Sequence, residues 1–158
     1  THESTQLVMM HLEDFECDGL AVLDIGTGSG VLAVAADLLG AATVVAVDTD
    51  RVAAWEARAT AARQSWHCRP LVVAGSVECL DLVRYDLVLC NMILTEFGPF
   101  LGRLPGMLAP GGSVVLSGLL DCERGTVETM LEECGMTTVD SRELRGWISL
   151  RAVVAETR

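Results

Sequence analysis

The chain contains no lysine: all 11 of its basic residues are arginine, set against 22 aspartates and glutamates for a formal charge of −11. The missing lysine is read as the codon bias of a GC-rich genome. The shortage of positive charge says more, because such a surface repels a phosphate backbone. No nucleic-acid partner is therefore expected, and the charge would suit a basic protein. Charged residues make up only 21% of the chain against 51% hydrophobic, which excludes disorder. No apolar run is long enough for a bilayer. The longest, residues 31–47, is broken by Asp37, Gly40 and Thr43 and parses as helix, turn and strand, so no membrane partner is expected. Cys17, Cys68, Cys79, Cys90, Cys122 and Cys134 are scattered with no Cys-x-x-Cys pair, so neither a metal site nor a disulfide framework is expected. With no basic, apolar leader at its start, the expected compartment is the reducing cytoplasm. The chain opens on Thr1 rather than methionine and is expected to be a piece of a longer protein.

What the chain does have is enough apolar material for one domain of 158 residues, and one distinctive loop. In Asp24-Ile-Gly26-Thr27-Gly28-Ser-Gly30, three alternating glycines follow an apolar run, Leu20 to Ile25, that reads as a buried strand. Val31 to Leu39 reads as the helix that leaves the loop. Glycines at a strand-to-helix turn let backbone N–H groups approach a ligand, since no Cβ intervenes. Two ligands fit. Gly28-x-Gly30-x-x-Ala33 satisfies a dinucleotide fingerprint, with Asp48 about 20 residues on to hold a ribose. The carboxylate of Asp24 instead suits a ligand with a cationic amino-acid part, as in S-adenosylmethionine. Both place an adenosine ribose on Asp48, at the end of the second strand, Thr43 to Val47.

The remaining pattern alternates strand and helix. Leu7 to Phe15 is expected to be helical, with Leu7, Met10, His11 and Phe15 on one face. Asp50 caps a helix from Arg51 to Arg63. Strands follow at Leu71 to Ala74 and Tyr85 to Cys90, then a helix from Leu94 to Leu108 loosened by Gly98-Pro99 and Pro105. Pro110-Gly111-Gly112 is expected as a turn before a strand at Ser113 to Ser117. Glu123 to Cys134 is a helix closed by Gly135. Two β-rich segments end the chain, Thr137 to Leu144 and Trp147 to Ala155, with only Arg145-Gly146 between them. So short a link cannot be a parallel crossover, so this pair is antiparallel. The expected fold is α/β and Rossmann-like: a mostly parallel seven-stranded sheet with a terminal antiparallel hairpin strand and helices on both faces. An antiparallel finish is unlike the second half of a dinucleotide-binding domain, so it favours the methyl donor over a nicotinamide cofactor.

With the strands placed, the chain resembles a class I methyltransferase, and more narrowly the ribosomal protein L11 methyltransferase family. Thr1-His2-Glu3-Ser4-Thr5 resembles the tail of that family's Gly-Thr-Gly-x-His-x-Thr-Thr segment, with Ser4 in place of a threonine. The likeness continues through the loop from Asp24, Val45-Ala-Val-Asp48, Gly75-Ser76-Val77-Glu78, and Tyr85 to Leu94, which includes Asn91-Met-Ile-Leu. It closes with Leu108-Ala-Pro-Gly-Gly112, Leu116-Ser-Gly-Leu-Leu120 and Gly146-Trp147-Ile-Ser-Leu150. The family's amino-terminal substrate-recognition domain has no counterpart in these residues, which makes residues 1–158 a methyltransferase domain in this expectation.

The resemblance implies an S-adenosylmethionine-dependent N-methyltransferase acting on amines of a protein such as ribosomal protein L11; a stand-alone domain methylating a small molecule is the alternative. It implies that Gly26, Thr27, Gly28 and Gly30 wrap the methionine part of the cofactor, with Asp24 beside its cationic end, unless Asp24 only caps the next helix. Asp48 would accept from both ribose hydroxyls, Thr49 would flank the adenine, and Ser76 and Val77 would frame it. Thr5 and His2 would close over the cofactor. Asn91, at a strand end on the ligand-binding edge, is the candidate catalytic residue: its amide oxygen would orient a neutral amine in line with the sulfonium methyl, unless it is a polar strand cap. No strong general base is evident. A lysine amine, with a pKa near ~10.4, must lose a proton before it attacks, and water could take it.

Overall fold

The computed structural model describes residues 2–63, 67–80 and 83–156. Thr1, the first residue of the opening segment quoted above, lies outside them. In chain order the elements are α1 (Glu3–Glu13), β1 (Ala21–Ile25), α2 (Val31–Leu38), β2 (Thr43–Asp48), α3 (Arg51–Ala61), β3 (Leu71–Ala74), β4 (Tyr85–Asn91), α4 (Leu94–Phe97), α5 (Leu104–Met107), β5 (Leu108–Leu120), α6 (Arg124–Glu133), β6 (Met136–Leu144) and β7 (Trp147–Val154). The strands form one seven-stranded sheet in the order β3-β2-β1-β4-β5-β7-β6. Among the described residues β7 alone runs antiparallel, inserted between β5 and β6.

β1, β2 and β4 are continuous apolar runs because helices cover both faces of the sheet. Their alternation sorts the core into two layers. Leu23, Ile25, Val45, Val47, Val88 and Cys90 pack with Phe97, Leu101, Leu104, Val127 and Leu131 on one side. Val22, Val44, Ala46, Leu87 and Leu89 pack with Val8 and Leu12 of α1 and with Leu32, Ala36, Ala54 and Ala57 of α2 and α3 on the other. A period of two puts Asp24, Asp48, Asn91 and Ser117 in step with this second layer, the one that α1, α2 and α3 cover. That shared face gathers the polar strand-end residues in one place.

Three elements depart from the sequence expectation. The helix expected from Leu94 to Leu108 is three pieces: α4, a 3₁₀ turn at Gly98–Arg103, and α5. Pro99 and Pro105 each sit in the first turn of the piece they open, because proline lacks the N–H that a continuing helix would use. Pro110-Gly111-Gly112 is not a turn ahead of β5 but a bulge within it. Tyr85 pairs with Leu108 and Leu87 with Ser113, so the register shift absorbs the extra residues, with Gly111 at φ 80°. α1 begins earlier than expected, and Met10 is 42% exposed. Its buried face is Ser4, Leu7, Val8, His11 and Leu12, two of them polar. Phe15 lies beyond its end, beneath the Arg151 guanidinium at 4.7 Å.

That polar face is matched by the sheet. The Ser117 hydroxyl donates to the Ser4 carbonyl at 2.9 Å, and His11 Nε2 lies 2.8 Å from the Ser149 hydroxyl, all of them buried. His11 Nδ1 faces the Asp140 carboxylate at 3.4 Å. This serine–histidine–aspartate set is a fastener rather than a nucleophile, because Ser149 is fully enclosed.

Candidate active site

The loop after β1 is built by its glycines. Gly26, Gly28 and Gly30 all have positive φ, at 67°, 53° and 81°. The N–H groups of Gly26 and Thr27 donate to the Val47 carbonyl at 2.9 and 3.2 Å, tying the loop to β2. A Cβ on Gly26 would fall 2.5 Å from Met92 Sδ, and one on Gly30 would fall 3.1 Å from the Ala57 methyl. The first glycine thus admits a side chain from the end of β4, and the third lets α2 pack close to α3.

Asp24 is completely buried beneath the loop. Its Oδ2 accepts from the Thr27 hydroxyl at 2.6 Å and from the Ala33 N–H in the first turn of α2 at 3.2 Å. Its Oδ1 is buried with no hydrogen-bond partner among the described residues. Burial pushes its carboxyl up to about 7, outweighing the hydrogen bonds that favour ionisation, and Asp48 adds like-charge repulsion. The Thr27 hydroxyl is turned inward by the same contact.

Asp48 ends β2 half-buried. Oδ2 accepts the Gly28 N–H and Oδ1 the Asp50 N–H, both at 2.9 Å. A carboxylate offers about four lone-pair sites, so two acceptor positions remain for a ligand. Asp50 in turn caps α3 by accepting from the Val52 N–H at 2.8 Å.

A cavity of about 750 Å³ opens along the carboxyl ends of β1, β2, β3 and β4, where ligands of open α/β sheets bind. Of the residues singled out from the sequence, Gly26, Asp48, Thr49, Ser76, Val77 and Asn91 line it together. Asp24, Thr27, Gly28 and Gly30 lie outside its lining, in and under the loop. Thr5 also lies outside, but it reaches the cavity through Asn91, whose Nδ2 donates to the Thr5 hydroxyl at 3.2 Å. Asn91 Oδ1 is left buried without a partner among the described residues. His2 does not face the cavity: its Nδ1 caps α1 by accepting from the Ser4 N–H, and its ring meets Trp147 edge-on at 4.7 Å.

Met92, Glu96, Pro99, Phe100 and Arg103 line the far wall. The sequence offered no motif for Glu96, Pro99, Phe100 or Arg103. The proline break at residue 99, which turns the chain over the sheet end, was the one signal that this segment does more than pack. The described residues hold no group of histidine, cysteine, aspartate and glutamate arranged for a metal ion.

A seven-stranded sheet with one antiparallel strand, a glycine-rich turn after β1 and an acid at the end of β2 define the Rossmann-like fold of the class I methyltransferases. The comparisons with known proteins narrow this. The family model described as Ribosomal protein L11 methyltransferase (PrmA) matches residues 1–154. The chain belongs to this family. The ribosomal protein L11 methyltransferase of Pelotomaculum thermopropionicum is 40% identical over 154 residues, covering 96% of this chain and 49% of that protein. The chain thus spans about half the length of the curated relatives it matches. The crystal structure of the ribosomal protein L11 methylase from Lactobacillus delbrueckii subsp. bulgaricus superposes with a TM-score of 0.92 at 28% identity, covering 99% of this chain and 80% of that one. The magnesium protoporphyrin IX methyltransferase of Synechocystis PCC 6803, solved with bound SAM, shares the fold at a TM-score of 0.79 and 20% identity, over 96% of this chain and 78% of that one.

Proposed function

We propose that the chain is the S-adenosylmethionine-binding methyltransferase domain of an enzyme that methylates amines of a protein such as ribosomal protein L11, in the cytoplasm. The single observation that carries this is the cavity at the sheet's carboxyl edge, lined by Asp48 with its spare acceptor sites and by Asn91, whose buried Oδ1 has no partner among the described residues. Gly26, without a Cβ, lets the Met92 side chain sit against the loop at the same cavity. These groups fit an adenosine ribose and an amine-bearing reacting end. When bound, the donor supplies an electrophilic methyl group.

The chain's own residues then do the positioning. Asp48 accepts from the ribose hydroxyls, with Thr49, Ser76 and Val77 bordering the base. Gly26 and Gly28 bring the loop backbone close, and Gly30 starts α2. Thr27 holds Asp24 beneath the loop, where the carboxylate faces the cationic end of the ligand at a distance rather than touching it. Thr5 fixes the Asn91 amide, and Asn91 Oδ1 accepts an N–H from a neutral amine, leaving that nitrogen's lone pair free. Substrate recognition falls to the part of the relatives that lies outside the match. The charge of −11 favours a basic protein there. Among the described residues, no helix is long and apolar enough to cross a membrane.

Isothermal titration tests the cofactor. S-adenosylhomocysteine (SAH) is expected to bind with Kd of about 10 μM, roughly −7 kcal/mol, and NADH not to bind. The reverse preference overturns the assignment.

A further inference from the structure

Ser117 is fully buried on β5 and has no place in the cavity lining, yet it bonds the chain neighbours of both Thr5 and Asn91. It is the register partner of Asn91. Its hydroxyl donates to the Ser4 carbonyl at 2.9 Å, with a longer contact of 3.4 Å to the Ile148 carbonyl. Its own carbonyl accepts the Met92 N–H at 3.0 Å. One residue therefore grips the neighbour of Thr5 on α1 and the neighbour of Asn91 at the end of β4. Gly118 follows with φ at 84°, and a Cβ there would lie 2.7 Å from the Met92 carbonyl oxygen. β5 is thus shaped to bring Ser117 against that strand end, and the cross-links close a ring: Ser117 to Ser4, Thr5 to Asn91, Met92 to Ser117.

We propose that Ser117 is a positioning residue that sets the height of the first turn of α1 over β4, so that Thr5 holds the Asn91 amide in its place at the cavity wall. The proposal rests on the reading of Thr5 and Asn91 as the reacting end of the site. The physical lever is steep. Hydrogen bonds weaken over a few tenths of an ångström, and a misplacement of ~1 Å at a reacting group can cost about 10²-fold in rate. Loss of the Ser117 hydroxyl removes one tie between the first turn of α1 and the sheet without replacing any residue that lines the cavity. His11 and Ser149 hold the same helix seven residues further on, so α1 stays docked and only its first turn shifts.

Asn91 is the only asparagine in the chain, so asparagine-selective ¹⁵N labelling gives one side-chain NH₂ pair to follow. In the whole protein, Thr5→Val is expected to move that pair, and Ser117→Ala to move it in the same direction. The double variant is expected to move it no further than Thr5→Val alone, because both act on one contact. If Ser117→Ala does not fold, Ser117→Cys, with its weaker donor, is expected to give a smaller shift of the same sign. A pair left at the parent frequencies in the folded Ser117 variant overturns the proposal. SAH added to the parent protein separates the two ideas. If it moves the pair and the Ser117 variant does not, the site reading stands and the Ser117 proposal falls. If SAH leaves the pair unmoved, Asn91 is not at the cofactor, and the positioning role falls with it.

Discussion

Asp48 Oδ2 accepts the N–H of Gly28 at 2.9 Å, so the carboxylate that ends β2 also holds the glycine loop in place. Asp48→Ala is therefore expected to remove the ribose acceptor and to release the loop together. Hydrogen bonds to a charged group are worth ~1.5–3 kcal/mol each, so SAH affinity falls by about tenfold or more. Asp48→Asn keeps the shape and one acceptor, and lies between. Titration calorimetry on the folded variants decides. An unchanged Kd for Asp48→Ala removes Asp48 from the ribose.

Gly26 and Gly28 share a positive φ, but what a methyl group would meet differs. At Gly26 it strikes the Met92 thioether within the cavity, whereas at Gly28 nothing lies within 4 Å. Both alanine variants carry the left-handed backbone cost of ~1–2 kcal/mol. Only Gly26→Ala is expected to lose SAH affinity by more than the stability change explains. Equal losses would show that the loop's conformation, rather than the space above it, governs binding.

Asn91→Ala should separate chemistry from binding. Asp48 and the loop hold the donor, so SAH affinity stays close to the parent value. Methyl transfer slows by one to two powers of ten, ~1.4–2.8 kcal/mol of barrier. The assay uses labelled methyl donor, recombinant L11, and protein extended to the full length of its relatives. Transfer as fast as the parent's would leave Asn91 as a strand cap.

Two buried groups titrate in opposing senses. His11 is held down to about 4 from 6.5, chiefly by burial, with the Arg142 and Arg151 guanidinium groups opposing Asp140 and Asp14. Its neutral form contributes stability that is fully present above pH 6.5 and lost as pH falls toward 4. Asp24, raised to about 7 from 3.8, does the reverse: its protonated form stabilises most below pH 3.8, and that is lost as pH rises through 7. Each effect is on the order of 3 kcal/mol, and in the parent they largely offset each other. Urea unfolding across this range is expected to show the parent gaining on His11→Gln as pH rises, and losing to Asp24→Asn. Parallel profiles for parent and variants would mean that neither group is buried in its ionisable form.

The strands and the glycine loop were legible because apolar runs and glycine spacing are local signals. The cavity was legible in half: Asp48, Ser76, Val77 and Asn91 each close a strand or follow one, so position alone marked them. The docking of α1 was not, since periodicity counts apolar residues, and Ser4 and His11 are buried through hydroxyl and ring contacts with Ser117 and Ser149, more than a hundred residues away. Asp24 was open to two readings, beside the cationic end of a ligand or as a cap of the next helix; its bonds with the Thr27 hydroxyl and the Ala33 N–H in the first turn of α2 hold it under the loop.

The strand that is last in the sequence is not last in the sheet. β7 fills the gap between β5 and β6, bonded to both. Until residues 147–154 leave the ribosome, β5 is paired with β4 on one side only and β6 has no partner strand, so both present bare edges. The rest of the sheet can assemble as synthesis proceeds, but closure awaits β7. A chain halted at Gly146 would be released as an adhesive intermediate, prone to recruit another copy's β7 in place of its own.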